Sequence, residues 1–223
     1  MKIIAKIQNE FRTKFGIPRQ SGLAETESLI IFEPEYRNAE ALRGIEEYSH
    51  LWLIWNFSES VTHDFQPTVR PPRLGGNKRM GVFATRSPFR PNPIGLSSVR
   101  LLCVERTDCY GLVLRVSGAD LMNGTPIYDI KPYLSYTDSH PDALSGFAAD
   151  FVDYALKVNF PDELLKKLKE EQRSAVIEVL KNDPRPSYHD DKERIYSMEY
   201  GEYDIKFTVD GKELTVCGVE SSV

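Results

Sequence analysis

Cysteine is scarce and histidine is scattered. Cys103, Cys109 and Cys217 are odd in number and lack metal-ligand spacing, which excludes a disulfide framework and points to a reducing, cytoplasmic compartment. His50, His63, His140 and His189 form no HExxH or other zinc constellation, so no metal is expected. No run approaches the ~18 apolar residues of a membrane span. The opening MKIIAKIQNEFRTKFG lacks the apolar centre of a signal peptide, so no membrane partner is expected. A GxGxxG after a strand, a P-loop and a GxSxG elbow are also missing, which removes the dinucleotide, P-loop and α/β-hydrolase folds. The most telling absence is local. Between Phe65 and Val104 stand seven basic residues (Arg70, Arg73, Lys78, Arg79, Arg86, Arg90, Arg100) and no acidic one. The chain has 28 Lys and Arg against 33 Asp and Glu, a net charge of −5, so outside this block 21 basic groups face all 33 acids. Net charge alone argues against a nucleic-acid partner, but a cationic block in an acidic chain marks a surface for an anion.

What is present within that block is the stretch GVFATRSPFRPNPIGLSSVRLL, residues 81–102, read as strand, stiff basic loop and strand. Pro88, Pro91 and Pro93 lock φ and remove backbone donors, and they bias Ser87, Arg90 and Asn92 toward extended conformations. A loop so stiffened loses little entropy on binding, and its guanidinium groups suit carboxylates, phosphates and planar rings. Around it the chain reads as short strands and long loops. Strands are expected over residues 2–8, 28–32, 50–57, 80–85, 96–104, 111–116 and 127–133, with a helix over 38–47 built on Ala39, Leu42 and Ile45. A strand over 151–160 leads out of the main domain. A long helix is then expected over 161–183, opened by Pro161, Asp162 and Glu163. Three strands follow over 194–200, 203–209 and 213–219, the last two joined by an Asp210-Gly211 turn. The fold class is mainly β (α+β): a mixed or antiparallel barrel over residues 1–156 with its site on the loops, and an α+β appendage over 157–223.

The motifs TRSPFRPNPIGLS (85–97) and DIKPY (129–133) resemble those of the TsaA-like family. The resemblance extends through KFGIPRQSGLA (14–24), RGIEEYSHLWLI (43–54), PTVRPPRLGGNKRMGVFATR (67–86), GADLMNGTP (118–126) and DPRPSY (183–188), in family order over nearly the whole chain. It implies a small TsaA-type β-barrel, S-adenosylmethionine as methyl donor, and a homodimer with the donor near the subunit interface. It also implies N6-methylation of threonylcarbamoyladenosine at position 37 of threonine-decoding tRNA. Arg19, Gln20 and Ser21 match a donor-contacting loop by this resemblance, as do Ser58 and Glu59, Leu96, and Asp120, Leu121, Met122 and Asn123.

Chemistry sorts these residues further. Arg86 suits an anion, either the methionine carboxylate of the donor or a substrate group. Asp120 or Glu59 suits the ammonium, apolar Leu96 would flank the adenine ring, and backbone groups at Leu96 and Leu121 would read its edge. Asp129, Tyr133 and Tyr136 are open alternatives for accepting the N6 proton. Arg90 or Lys131 would meet the threonyl carboxylate, and Arg70, Arg73, Lys78 and Arg79 the tRNA phosphates. Phe89 beside Arg90 offers a stacking platform for an extruded base of the anticodon stem-loop. Two other readings share these features: a tRNA- or nucleotide-binding module without chemistry, and a small-molecule methyltransferase on the same fold.

Overall fold

Alternating burial builds the main sheet of the computed structural model, which describes residues 1–60, 65–75, 78–186 and 191–221. Strands β1 (Ala5–Gln8), β2 (Glu27–Phe32) and β3 (His50–Asn56) come first; β4 (Thr68–Val69) and β5 (Met80–Gly81) form a small hairpin; β6 (Ile94–Thr107), β7 (Gly111–Ser117) and β8 (Pro126–Pro132) follow. In β3 the sequence HLWLIWN turns Leu51, Leu53 and Trp55 into the core and leaves Trp52 and Ile54 on the outer face, as a period of two requires. In β6 Val99 and Leu101 point in, while Ile94, Leu96 and Leu102 are exposed.

The strand order is β1-β2-β7-β6-β3-β8, every pairing is antiparallel, and β8 pairs back onto β1, so the sheet closes on itself. The 14-residue β6 makes this possible: its first half pairs with β3 and its second half with β7, with a register shift between Leu101 and Cys103. Inside lies a core that includes Ile30, Leu51, Leu53, Val116 and Ile127.

Beyond β8 come α1 (Ser135–Asp138), β9 (Lys157–Asn159), α2 (Asp162–Leu165), α3 (Glu170–Lys181), β10 (Tyr196–Tyr200), β11 (Tyr203–Asp210) and β12 (Glu213–Ser221). The second sheet has the order β10-β11-β12-β9, with β9 parallel to β12. Val176, Val179 and Leu180 of α3 pack in its core with Met198, Ile205, Phe207 and Leu214. Phe11 and Ala24 from the chain's N-terminal part are buried in this second core, and Phe15 and Ile17 pack against it. The loop between β1 and β2 therefore leaves the barrel and packs into the second core.

Four expected elements differ. The 38–47 helix is two 3-10 turns, Ala39–Leu42 and Ile45–Glu47, because Gly44 between them has φ 83°. The 161–183 helix breaks between α2 and α3, where the Arg173 side chain donates to the Leu168 carbonyl at 3.1 Å and Leu168 drops into the core. The 80–85 strand is only β5, followed by a 3-10 turn over Val82–Ala84, and of 151–160 only β9 is a strand. His63, Gly76, Ser187, Tyr188 and His189 lie outside the described residues.

Candidate active site

A cavity of about 680 Å³ opens at the ends of β3 and β6, where four loops converge. Its size is that of a small-molecule site. The floor is fixed by one chain of hydrogen bonds. Trp55 Nε1 donates to Ser97 Oγ at 2.9 Å, and Ser97 Oγ donates to Asp120 Oδ1 at 2.5 Å. The indole fits because Gly95 stands opposite Trp55 in the β3–β6 register; a Cβ there would lie 2.1 Å from the ring. Asp120 is thereby set beneath the cavity, where burial raises its carboxyl above the usual value; the Ser97 hydroxyl, the Ser21 N–H and the Arg86 charge act against that rise.

The walls come from loops. Gln20 Nε2 donates to the Arg19 carbonyl at 2.5 Å, and Arg86 Nη1 donates to Gln20 Oε1 at 2.5 Å. Arg86 is otherwise exposed and faces the cavity. Lys14 Nζ donates to the Glu59 carbonyl at 2.5 Å and joins the first loop to the turn after β3. The site thus offers one accessible guanidinium, a carboxylate held below, and an apolar rim of Ile17, Ile94 and Leu96.

Of the residues singled out in the sequence, Arg19, Gln20 and Ser21 line this cavity, as do Ser58, Glu59, Arg86, Leu96, Asp120 and Met122. Leu121 and Asn123 do not: Leu121 is fully buried in the core, and Asn123 Oδ1 accepts the Asn9 N–H at 3.1 Å. Arg90 lines the wall, but its Nη1 donates to the Thr85 carbonyl at 2.8 Å, so it braces its own loop. Lys131 pairs with Asp129 at 3.1 Å. Leu96, Ile54 and Asp129 face one another across three strands, as do Ser98, Trp52 and Lys131, so Asp129 stands on the same outer face as Leu96, about 10 Å away at ordinary strand spacing. Tyr133 packs on Trp52 with ring centroids 5.6 Å apart, whereas Tyr136 is 86% exposed.

Arg73 does not stand free as a phosphate ligand: its guanidinium lies 5.2 Å from the Phe151 ring and 5.0 Å from the Tyr154 ring. Arg70, Lys78 and Arg79 are exposed around the β4–β5 hairpin. Phe89 is half-exposed, and a second aromatic surface adjoins it: Phe83 and Phe65 stack at 6.2 Å, with Arg90 5.9 Å from the Phe83 ring.

Residues 6–139 match the family model of the tRNA-methyltransferase O N-terminal domain, and residues 153–222 match that of the TrmO C-terminal domain. The chain belongs to the tRNA-methyltransferase O family. It is 38% identical to the tRNA (adenine(37)-N6)-methyltransferase of Escherichia coli, over 97% of this chain and 96% of that protein. It is 44% identical to the enzyme of the same name from Eikenella corrodens, over 73% of this chain and 92% of that protein. A crystal structure of TrmO from Pseudomonas aeruginosa superposes with a TM-score of 0.79 at 32% identity, covering 98% of this chain and 95% of the other.

For this tRNA-methyltransferase O family chain, sequence reasoning missed Lys14, Trp52, Trp55, Thr85 and Ser98 as cavity residues. Lys14 and Thr85 stand inside the motifs KFGIPRQSGLA and TRSPFRPNPIGLS and had that signal. The tryptophans had none, because an apolar strand gives no hint of which end opens to solvent.

Proposed function

We propose that the chain is an S-adenosylmethionine-dependent tRNA methyltransferase that acts on N6 of threonylcarbamoyladenosine at position 37 of threonine-decoding tRNA. The observation that carries the reading is the pairing of an accessible Arg86 with the part-buried carboxylate of Asp120 in one cavity. That donor set fits a ligand bearing both an anion and cations. Arg86, oriented by Gln20, holds the donor's carboxylate; Asp120, with Glu59 nearby, holds the cationic end; Leu96 and Ile94 flank the adenine. The donor supplies a methyl carbon already activated by its sulfonium. The chain's own contribution is to align the two reactants and keep water out.

The substrate base approaches over the outer face of β6, β3 and β8. Asp129 shares a strand row with Leu96 and is the carboxylate we assign to accept the N6 proton. The test is incubation of purified protein with labelled S-adenosylmethionine and tRNA with or without the threonylcarbamoyl group, followed by nucleoside mass spectrometry. Label at N6 of the modified adenosine is expected, with Arg86→Ala losing donor binding and Asp129→Asn losing turnover but not donor binding. Label on unmodified tRNA alone, or on neither, would sink the reading.

The tRNA backbone is assigned to the basic hairpin. Reversal of Arg70 and Arg79 to Glu should weaken tRNA binding, flatten its salt dependence by about one unit of slope per charge contact removed, and spare donor affinity. Unchanged tRNA affinity at low salt would place the contact elsewhere. The two cores support units at 1–156 and 157–223, and the closed six-stranded sheet supports a small barrel as the first of them. The exposed Ile94 and Leu96 of β6 at the cavity, with exposed Leu102 farther along the same strand, support a homodimer with the donor near its interface. Light scattering at the mass of one chain would remove the dimer.

A further inference from the structure

We infer that the C-terminal unit shapes the donor cavity by gripping Arg19, which serves as a strut and positioning residue rather than as a ligand of the donor. The inference rests on the donor-cavity reading above.

The grip begins at the end of α3. Asp183 has φ 52°, the single non-glycine residue with positive φ among those described. Pro184 follows it, and a proline biases its predecessor toward extended backbone, so this left-handed conformation has to be held by its surroundings. Its side chain is held from two sides. Asp183 Oδ1 accepts from Arg185 Nε at 3.0 Å, and Oδ2 accepts from the Tyr154 hydroxyl at 2.6 Å. Asp183 and Arg185 are only 5% and 8% exposed, so the ion pair is screened little by water.

With the carboxylate engaged there, the backbone carbonyls of this turn serve the opposite loop. Arg19 Nη2 donates to the Arg185 carbonyl at 2.8 Å and approaches the Asp183 carbonyl at 3.4 Å. Arg73, stacked on Tyr154 and Phe151, closes the cluster from the basic segment.

From Arg19 the connection runs straight into the cavity. The Arg19 carbonyl accepts from Gln20 Nε2, Gln20 Oε1 accepts from Arg86 Nη1, and Ser21 donates its N–H toward Asp120. The residues just before Arg19 are pinned by packing. Phe15 and Ile17 rest on the C-terminal core, and Gly16 lies so close to Met198 that a Cβ would fall 2.7 Å from its Cγ. Ala24 beyond them is buried in the same core, so the segment that presents Gln20 and Ser21 is fastened to the C-terminal unit on both sides. A loop already fastened in its binding shape gives up less entropy when the donor arrives.

The test uses the full-length chain with Arg19→Met, Arg19→Lys and Asp183→Asn. S-adenosylmethionine titration calorimetry, steady-state kinetics and ligand-free amide hydrogen exchange are read on each. Arg19→Met should raise both the donor Kd and the donor KM about tenfold, with kcat at saturating donor within about twofold. Arg19→Lys, which still donates to a carbonyl, should recover to within about threefold of the parent. Amides of residues 19–22 should exchange faster in Arg19→Met and in Asp183→Asn, before any ligand is added. Parent-like exchange and donor affinity in Arg19→Met would overturn the strut. So would equal loss of donor affinity in Arg19→Met and Arg19→Lys with exchange unchanged, which marks a direct ligand. If Asp183→Asn does not fold, the two Arg19 variants decide. If the parent itself binds no donor, the cavity reading fails, while the exchange measurement still reports on the strut.

Discussion

Asp120→Asn will melt above the parent at neutral pH and yet bind S-adenosylmethionine far more weakly. Burial raises the Asp120 carboxyl in the folded chain, so the native state holds its proton more tightly than the unfolded state does. The stability this represents is fully present below the ordinary carboxylate value and is lost as pH rises through the raised native one. Above that window the parent carries an ionised group in poor surroundings, and an amide of the same shape does not. The advantage of Asp120→Asn in thermal melts should therefore appear as pH rises through the window and then level off, at roughly 2–4 °C for each kcal/mol recovered. Donor binding moves the other way, because removing one partner of a desolvated charge pair costs about 2 kcal/mol or more, roughly thirtyfold in Kd. In the parent, donor affinity should fall as pH drops through the same window. A variant no more stable than the parent would show that the carboxylate bears no burial penalty, and one with unchanged donor affinity that it does not meet the donor.

Gly95→Ala is expected to be the most damaging single methyl group among the described glycines. The new Cβ would stand 2.1 Å from Trp55 Cε2, in a strand pairing that leaves neither backbone room to move. Trp55 is only 6% exposed and holds Ser97 through its Nε1, so displacing the indole also releases the hydroxyl that steadies Asp120. Overpacking of this kind costs about 3 kcal/mol, a loss of roughly 6–12 °C in melting temperature at this chain length. Donor binding should fall even in the fraction that remains folded. Calorimetric melting with tryptophan fluorescence reads both effects, and a melt within 2 °C of the parent would contradict this packing account.

The sequence made the strands legible where one face is buried. The alternation in HLWLIWN and in the C-terminal hairpin translates directly into β3, β11 and β12. It misled where apolar spacing ran across a glycine, as at Gly44, or through a break capped by a side chain of the helix that follows, as at Leu168. In the site, most residues brought by loop motifs meet at the cavity, because four of the loops open at the same ends of β3 and β6, while Leu121 and Asn123 turn away from it. Side-chain surroundings were illegible where a partner lies far away in the chain. Nothing near Arg19 announces carbonyls 164 and 166 residues onward, and nothing near Arg73 announces the rings of Phe151 and Tyr154. Arg90 looked free because its partners are backbone atoms of its own loop, which carry no sequence signature. Contacts within a loop and across the chain thus decide which of several arginines stays exposed at the cavity, and here that is Arg86.

The most direct measurement is a crystal structure of the chain with S-adenosylhomocysteine, the product that keeps the donor's carboxylate, ammonium and adenine. The account expects the carboxylate against Arg86, the ammonium within hydrogen-bond reach of Asp120 or Glu59, and Arg19 still bonded to the Asp183 turn. Density for the ligand away from this cavity, or with its carboxylate on Arg19, would contradict it.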